Sequence, residues 1–381
     1  MASDATLRQH AIETACRLHV EALDLRAAGR PADAAPLAMR SIEILERENA
    51  HQIDVANVLI ALARIQEDLG HLAAAEISTR RARGILERLR DVGNDGDNGD
   101  DPVRVRLETQ SLGLLANLKR GQGHHPEAED LFRRALALTE EAFGPDDLQM
   151  ASLLNGLGIL HKFQGRYDEA EPLYRRSLAI LEKAYGEDHL ETASLWHNLG
   201  GLEHARGGVE NARRGEPFAR RSVEIREKAL GSDHPETAAD KAALAALLDA
   251  QGKYTEAEDL YAQAIAIFKR VYGPVHYEIA VNLNNLAAIR QTHGDTAEAE
   301  RLYRRAAEIK ETVLGPDHPD LGLTLHNLAT LLATAHDTEH LDEAAALYGR
   351  ALNIFERTLG PAHPHTAICR ESAAGLLAAS V

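Results

Sequence analysis

Two segments of the chain carry side chains in arrangements that suggest chemistry. His336-Asp-Thr-Glu339-His340 matches the H-x-x-E-H order that some zinc peptidases use on one helical turn. Here it falls in a turn between two periodic segments and has no evident third ligand, so it reads as a solvated, His-rich turn. Asp95-Gly-Asp97-Asn-Gly99-Asp100-Asp101 is rich in oxygen ligands. A calcium-binding EF-hand loop needs Asp or Asn fifth, Gly sixth and a bidentate Glu twelfth. Counted from Asp95, those places hold Gly99, Asp100 and Arg106, so the segment reads as a flexible linker. His189, His234, His276, His318 and His363 each stand three residues after a glycine. Because they recur along the chain, they are expected to lie in a row with a structural role in loops. His124-His125 is read the same way. No phosphate-binding glycine loop, dinucleotide fingerprint, G-x-S-x-G elbow or kinase signature occurs. The expectation is no catalytic residue, no metal and no cofactor.

Composition narrows the class. Lys plus Arg number 42 and Asp plus Glu 59, a net charge of −17, which argues against a general nucleic-acid binder. Apolar residues make up 44 %, too many for a disordered chain. Cys16 and Cys369 form neither a disulfide framework nor a zinc pattern and suggest a reducing compartment. The N-terminus shows no basic head followed by an apolar run, and no segment approaches the ~18 apolar residues of a membrane span. The expectation is a cytoplasmic protein without membrane or nucleic-acid partners.

The elements that position these residues repeat. Gly144 to Gly186, Gly231 to Gly273 and Gly273 to Gly315 are steps of 42 residues. Gly186 to Gly231 and Gly315 to Gly360 are steps of 45. Within a period, apolar residues recur at helical spacing, so one unit reads as helix A, a Gly turn, helix B and a loop such as Gly315-Pro-Asp-His-Pro319. The loop Gly suits a helix end, the Asp or His a cap, and Pro235 or Pro319 a first turn. Three positions stay small: Ala63 to Ala329 in helix A, and Ala75 to Ala344 and Ala82 to Ala351 in helix B. Leu62, Leu115, Leu157, Leu199, Leu244, Leu286 and Leu328 fill one large position. Phe132, Tyr174, Tyr261, Tyr303 and Tyr348 fill another. Such alternation predicts interdigitated helix packing.

These positions resemble the tetratricopeptide repeat. The longer unit, with Leu283-Asn284-Asn285-Leu286-Ala287 and the Gly-Pro-Asp-His-Pro loop, is similar to the kinesin light chain type, without its motor-joining heptad segment. The resemblance implies an all-α fold, a right-handed superhelical solenoid of antiparallel helix pairs with a concave peptide-binding groove. Eight pairs turn near Gly29, Gly70, Gly123, Gly165, Gly207, Gly252, Gly294 and His336, and a final helix closes the array. The division reads as two helix pairs in 1–89, the first degenerate and capping, an acidic Gly-rich loop in 90–102, six units in 103–363 and a capping helix in 364–381. Two units carry three extra residues, expected in their A–B turns near Gly207 to Gly215 and His336 to His340. Trp196 takes the repeat's Trp position and is expected in the core.

In the family, the concave surface is lined mainly by helix A, where Asn side chains hold an extended peptide backbone. This register gives Asn155, Lys162, His197, Asn198, His204, Asn284, Asn285, Gln291, His326 and Asn327 as peptide-binding candidates. An amide both donates to C=O and accepts from N–H, which suits that task. The alternative is that the Asn residues bond neighbouring helices. Helix B repeats Arg-Arg pairs, and Glu129, Glu171, Glu216 and Glu300 stand four residues before the first Arg, as in surface i,i+4 pairs. The second arginines, Arg134, Arg176, Arg221 and Arg305, lack that Glu and are candidate contacts for an acidic ligand. The function read from this is a scaffold or adaptor, binding an extended peptide or a partner protein in the groove. The alternatives are a bacterial-type peptide-signal sensor that changes superhelix shape, and an accessory subunit of a separate enzyme. A monomer is expected, with an end-to-end dimer as the alternative.

Overall fold

A computed structural model describes residues 4–92, 101–335 and 338–379. The segment 93–100, with most of the acidic loop, and His336 of the His-rich turn lie outside the described residues. The described chain is entirely helical. The helices are α1 (Asp4–Ala27), α2 (Pro31–Arg47), α3 (Gln52–Asp68), α4 (Leu72–Val92), α5 (Pro102–Gly121) and α6 (His125–Phe143). They continue as α7 (Leu148–Phe163), α8 (Tyr167–Tyr185), α9 (Leu190–Arg206), α10 (Val209–Leu230), α11 (Pro235–Asp249) and α12 (Tyr254–Tyr272). The last are α13 (Tyr277–Thr292), α14 (Thr296–Leu314), α15 (Pro319–Leu332), α16 (Thr338–Thr358) and α17 (Pro364–Ala379). Odd and even helices pack as sequential antiparallel pairs, A with B. The chain falls into two compact units, Met1–Glu187 and Asp188–Val381.

Local chemistry sets the ends of these helices. In the A–B turns Gly123, Gly165, Gly252 and Gly294 take φ of 74–79°, the left-handed conformation that ends a helix. In the B–A loops Gly144, Gly186, Gly231, Gly273, Gly315 and Gly360 take φ of 81–90°. The row of histidines follows these loop glycines. Nδ1 of His189, His234, His276, His318 and His363 accepts a hydrogen bond from the backbone N–H two residues on, at 3.2–3.3 Å. Asp147 does the same for Gln149 at 2.9 Å. The five imidazoles are therefore N-caps and satisfy one of the free donors of each A helix.

Packing follows the small and large positions. Ala63, Ala116, Ala245, Ala287 and Ala329 are fully buried, as are Phe132 and Tyr174, while Tyr261, Tyr303 and Tyr348 are at most 3 % exposed. A methyl group added at Gly158 would stand 2.6 Å from Cε1 of Tyr174, which is why that small position has lost even its Cβ. One expectation is corrected. The three extra residues of the fifth unit lie inside α10, which starts at Val209 directly after Gly207 and Gly208 and runs 22 residues. Its Glu-Asn-Ala-Arg-Arg start extends a helix readily, so the insertion lengthens helix B instead of the turn.

The helix-B glutamates do more than pair with the next Arg on their own surface. Glu76 of α4 accepts from Lys119 Nζ and Gln122 Nε2 of the following repeat, both at 2.7 Å. Glu129 of α6 meets Arg166 at 2.8 Å and His161 at 3.3 Å. Glu216 of α10 meets Lys253 at 2.7 Å and Gln251 at 2.9 Å, and Glu258 of α12 meets Arg290 at 3.3 Å and His293 at 3.4 Å. These clasps join one repeat to the next. Hydrogen bonds from Lys119 and Gln122 hold Glu76 at a pKa of about 2. Burial works to raise Glu216, but the bonds from Lys253, Arg220 and Gln251 outweigh it and leave this group also at about 2.

Candidate functional site

In the unit Asp188–Val381, helices α13 and α15 lie side by side and bring three candidate amides together. Asn284 is buried, and its Oδ1 accepts from Asn327 Nδ2 at 3.2 Å. Its Nδ2 donates to Asn285 Oδ1 at 3.4 Å. Asn285 in turn donates to the Tyr261 hydroxyl at 3.4 Å, and the Tyr303 hydroxyl donates to Gln291 Oε1 at 3.3 Å. For Asn284 the helix-bridging alternative describes the observed bonds. Asn285, Gln291 and Asn327 remain half-buried, with hydrogen-bonding positions to spare. The His326 ring meets that of Tyr348 at a tilt of 58°, with centroids 5.4 Å apart, and burial, with His365 nearby, lowers its pKa.

His197 of α9 is 35 % exposed at the side chain and reaches α11, where its Nδ1 stands 2.7 Å from Oδ1 of Asp240. Asp240 is completely buried and also accepts from Arg226 Nη1 at 2.5 Å and from Ser222 Oγ. Arg226 donates as well to Ser194 Oγ at 3.0 Å. Three side chains, from α9 and α10, thus converge on the one carboxylate of α11, and His197 is committed to this hub. Trp196 beside it is half-buried and stacks on Phe218 of α10 at 5.7 Å. Asn198 is half-buried and His204 exposed.

In the unit Met1–Glu187, Asn155 and Lys162 of α7 are half-buried. Burial lowers the Lys162 pKa, and no anion lies within ion-pair distance of its ammonium among the described residues. Arg120 of α5 occupies the position equivalent to Lys162, one repeat earlier. Its Nη2 donates to Asn117 Oδ1 at 3.4 Å, its guanidinium lies 6.0 Å from the Phe163 ring, and its buried Nε has no hydrogen-bond partner.

Each of the four second-position arginines has an acidic partner, on its own helix, on a preceding element, or on both. Arg134 pairs with Asp130 at 3.9 Å, and Arg176 with Glu140 at 2.9 Å and the Pro145 carbonyl at 3.3 Å. Arg221 joins Asp188 and Glu224, and Arg305 joins Glu308 at 2.6 Å and the Pro274 carbonyl at 3.1 Å. In three of the four cases the partner lies 31–36 residues back, on the previous helix B or its loop. Arg176, Arg221 and Arg305 thereby tie repeats together, and Arg134 pairs along its own helix.

Profiles of the tetratricopeptide repeat match residues 107–183, 149–214, 210–270, 240–312 and 278–340, and a further one matches 322–365. The chain belongs to the tetratricopeptide repeat family. No curated protein matches it. Among solved structures it is similar to a Rap protein complexed with competence and sporulation factor, at 15 % identity and a TM-score of 0.60 over 96 % of this chain and 98 % of that one. It is also similar to the apo quorum sensor NprR from B. thuringiensis, at 15 % identity and a TM-score of 0.53 over 82 % and 81 %. Kinesin light chain-like repeats of Podosopora anserina match at 24 % identity and a TM-score of 0.45 over 56 % and 97 %.

Repeat columns show which residues went unnoticed in the sequence. The position four residues after the small residue of helix A reads Glu67, Arg120, Lys162, His204, Asp249 and Gln291. Lys162, His204 and Gln291 are groove candidates from this column, and Arg120 and Asp249 belong to it equally. Asp249 is half-buried and burial raises its pKa. Asp240 gave no such signal. It reads as one more acid on a polar stretch, and only the packing of α9, α10 and α11 makes it a buried hub.

No helix among the described residues is long and apolar enough to cross a membrane.

Proposed function

We propose that this tetratricopeptide repeat chain is a non-catalytic adaptor, and that the A-helix face carrying Asn198, Asn285 and Asn327 binds an extended peptide or a partner protein. The observation that carries this reading is the α13–α15 amide set. The half-exposed Asn285 and Asn327 are held in place through the buried Asn284, while each keeps donor or acceptor positions unspent. Fixed amides of this kind suit main-chain recognition, because their orientation is set before the ligand arrives. The family supports a protein or peptide partner. The Rap likeness is one of fold at 15 % identity. With it, a peptide-signal sensor is the second reading, and small-angle scattering with and without a bound peptide separates the two. A sensor changes its dimensions and an adaptor keeps them.

Replacing Asn198, Asn285 and Asn327 together by Ala tests the binding face. Partner capture from the native lysate, read by mass spectrometry, is expected to be lost, while far-UV circular dichroism and melting stay close to wild type. Unchanged capture by the triple variant would refute the proposal.

A further inference from the structure

Asp249, the last residue of α11 in the unit Asp188–Val381, stands in a costly place for a carboxylate. It is half-buried, and burial alone raises its pKa. It also lies at a helix C-terminus, where the dipole opposes negative charge, and the last turn of α11 holds no basic residue. The corresponding turns of α9 and α13 carry Arg206 and Arg290. No Lys, Arg or His nitrogen lies within ion-pair distance of Asp249 among the described residues, and its oxygens keep accessible surface. Other desolvated acids of this unit have cations. Asp240 holds Arg226, Glu203 holds Arg206 and Arg214, and Glu258 holds Arg290. A half-buried carboxylate without a cation is retained where a ligand supplies the missing charge.

The groups around this carboxylate point the same way. Its charge acts on the hydroxyls of the buried Tyr261 and Tyr303. The Tyr261 hydroxyl accepts from Asn285 Nδ2 at 3.4 Å, and the Tyr303 hydroxyl donates to Gln291 Oε1 at 3.3 Å. Asp249 therefore lies among neutral oxygen and amide groups of α12, α13 and α14. Asn285 and Gln291 are half-buried as Asp249 is, and each amide oxygen has a second lone pair. Gln291 takes the place of Asp249 one repeat later, so a neutral amide satisfies the packing at this position and the charge is not needed for it.

We propose that Asp249, flanked by Asn285 and Gln291, forms a subsite for a cationic group of an extended peptide. The inference rests on the peptide-binding reading above and specifies the charge of the ligand. An ammonium or guanidinium that reaches Asp249 forms a charge-assisted hydrogen bond with the carboxylate, and its remaining N–H groups find the amide oxygens of Asn285 and Gln291. A Lys or Arg side chain and a peptide N-terminus share this chemistry. The buried Tyr261 hydroxyl acts through its neighbours, because it holds the Asn285 amide beside the carboxylate.

The test uses the full chain and synthetic octapeptide libraries labelled with fluorescein at the C-terminus, one set acetylated and one with a free N-terminus, with one position fixed at a time. Binding is read by fluorescence anisotropy. Acetylated pools fixed as Lys or Arg are expected to bind about tenfold tighter than those fixed as Gln or citrulline if a side chain is read. If the terminus is read, the free-amine set gains by a similar factor over the acetylated set. Either preference should vanish in Asp249→Asn, with melting unchanged or slightly higher because a desolvated charge is removed. Asp249→Gln, which places here the residue found at Gln291, should do the same and keeps the test valid if the first variant folds poorly. Asp259→Asn removes an exposed acid of α12 and should keep the preference, which controls for the general attraction of cations to a chain of net charge −17. Binding without a cation preference, or a preference that survives in Asp249→Asn, overturns the subsite and leaves the peptide-binding reading standing. No binding by any pool overturns both.

Discussion

Asp240 offers the sharpest test of how the second unit holds together. Its carboxylate is completely buried and serves Arg226, His197 and Ser222 at once. Removing it in Asp240→Ala strands the Arg226 guanidinium, which is 8 % exposed as a residue. Glu236 remains at 3.2 Å from Nε, but it is 56 % exposed and compensates little. Ser222 keeps its bond to the Ala193 carbonyl at 2.9 Å, and His197 can turn to water. The dominant loss is therefore the uncompensated buried charge, worth about 3–5 kcal/mol. Against a total of roughly 5–15 kcal/mol for a folded domain, this is a large fraction. Trp196 is the only tryptophan and stacks on Phe218 of α10, next to the hub. Its fluorescence during urea unfolding should shift to lower denaturant more than the circular dichroism of the whole chain, since repeat arrays lose stability locally. Replacing both charges, in Asp240→Leu/Arg226→Met, should recover most of the loss because no lone charge remains buried. A single-variant loss below about 1 kcal/mol, or a double variant no more stable than the single, would refute the argument.

Two further outcomes follow from the repeat joints. In His318→Ala, α15 loses the acceptor for the Asp320 N–H, and stability should fall by about 1 kcal/mol in a thermal melt. His318→Asp should recover it, as Asp147 already caps α7; equal melting of all three proteins would remove the imidazole cap from the account. The clasps of Glu76 and Glu216 have pKa values near 2, against an ordinary 4.5. Their stabilisation is complete above pH 4.5 and is lost as pH falls towards 2. In Glu76→Gln/Glu216→Gln, stability should thus depend less on pH across that interval. A pH profile parallel to wild type would show that the clasps do not drive acid unfolding.

The period, the glycine turns, the small and large packing positions and the histidine caps were legible in the sequence because each is local. Such features depend on residues a few positions apart, and repetition at 42 residues multiplies the signal. The helix content, the number of pairs and the buried Tyr column followed from them. The placement of the fifth unit's extra residues did not, because a short polar stretch is compatible with either a turn or one more helical turn.

Tertiary structure alone decided which polar side chains meet from one helix to another. Arg176 and Arg221 lack a Glu four residues before them, yet each meets an acid more than 30 residues away. Asn284 and Asn285 are adjacent in the sequence, but one is buried against Asn327 while the other stays half-exposed. The repeat register places Lys162 among the groove candidates, but only packing shows that it is half-buried without an anion in ion-pair reach among the described residues. The reason is physical. Apolar burial follows a periodic pattern that any one helix already displays. A hydrogen bond or ion pair needs two groups within about 3–4 Å, and only the packing of successive helices sets that distance.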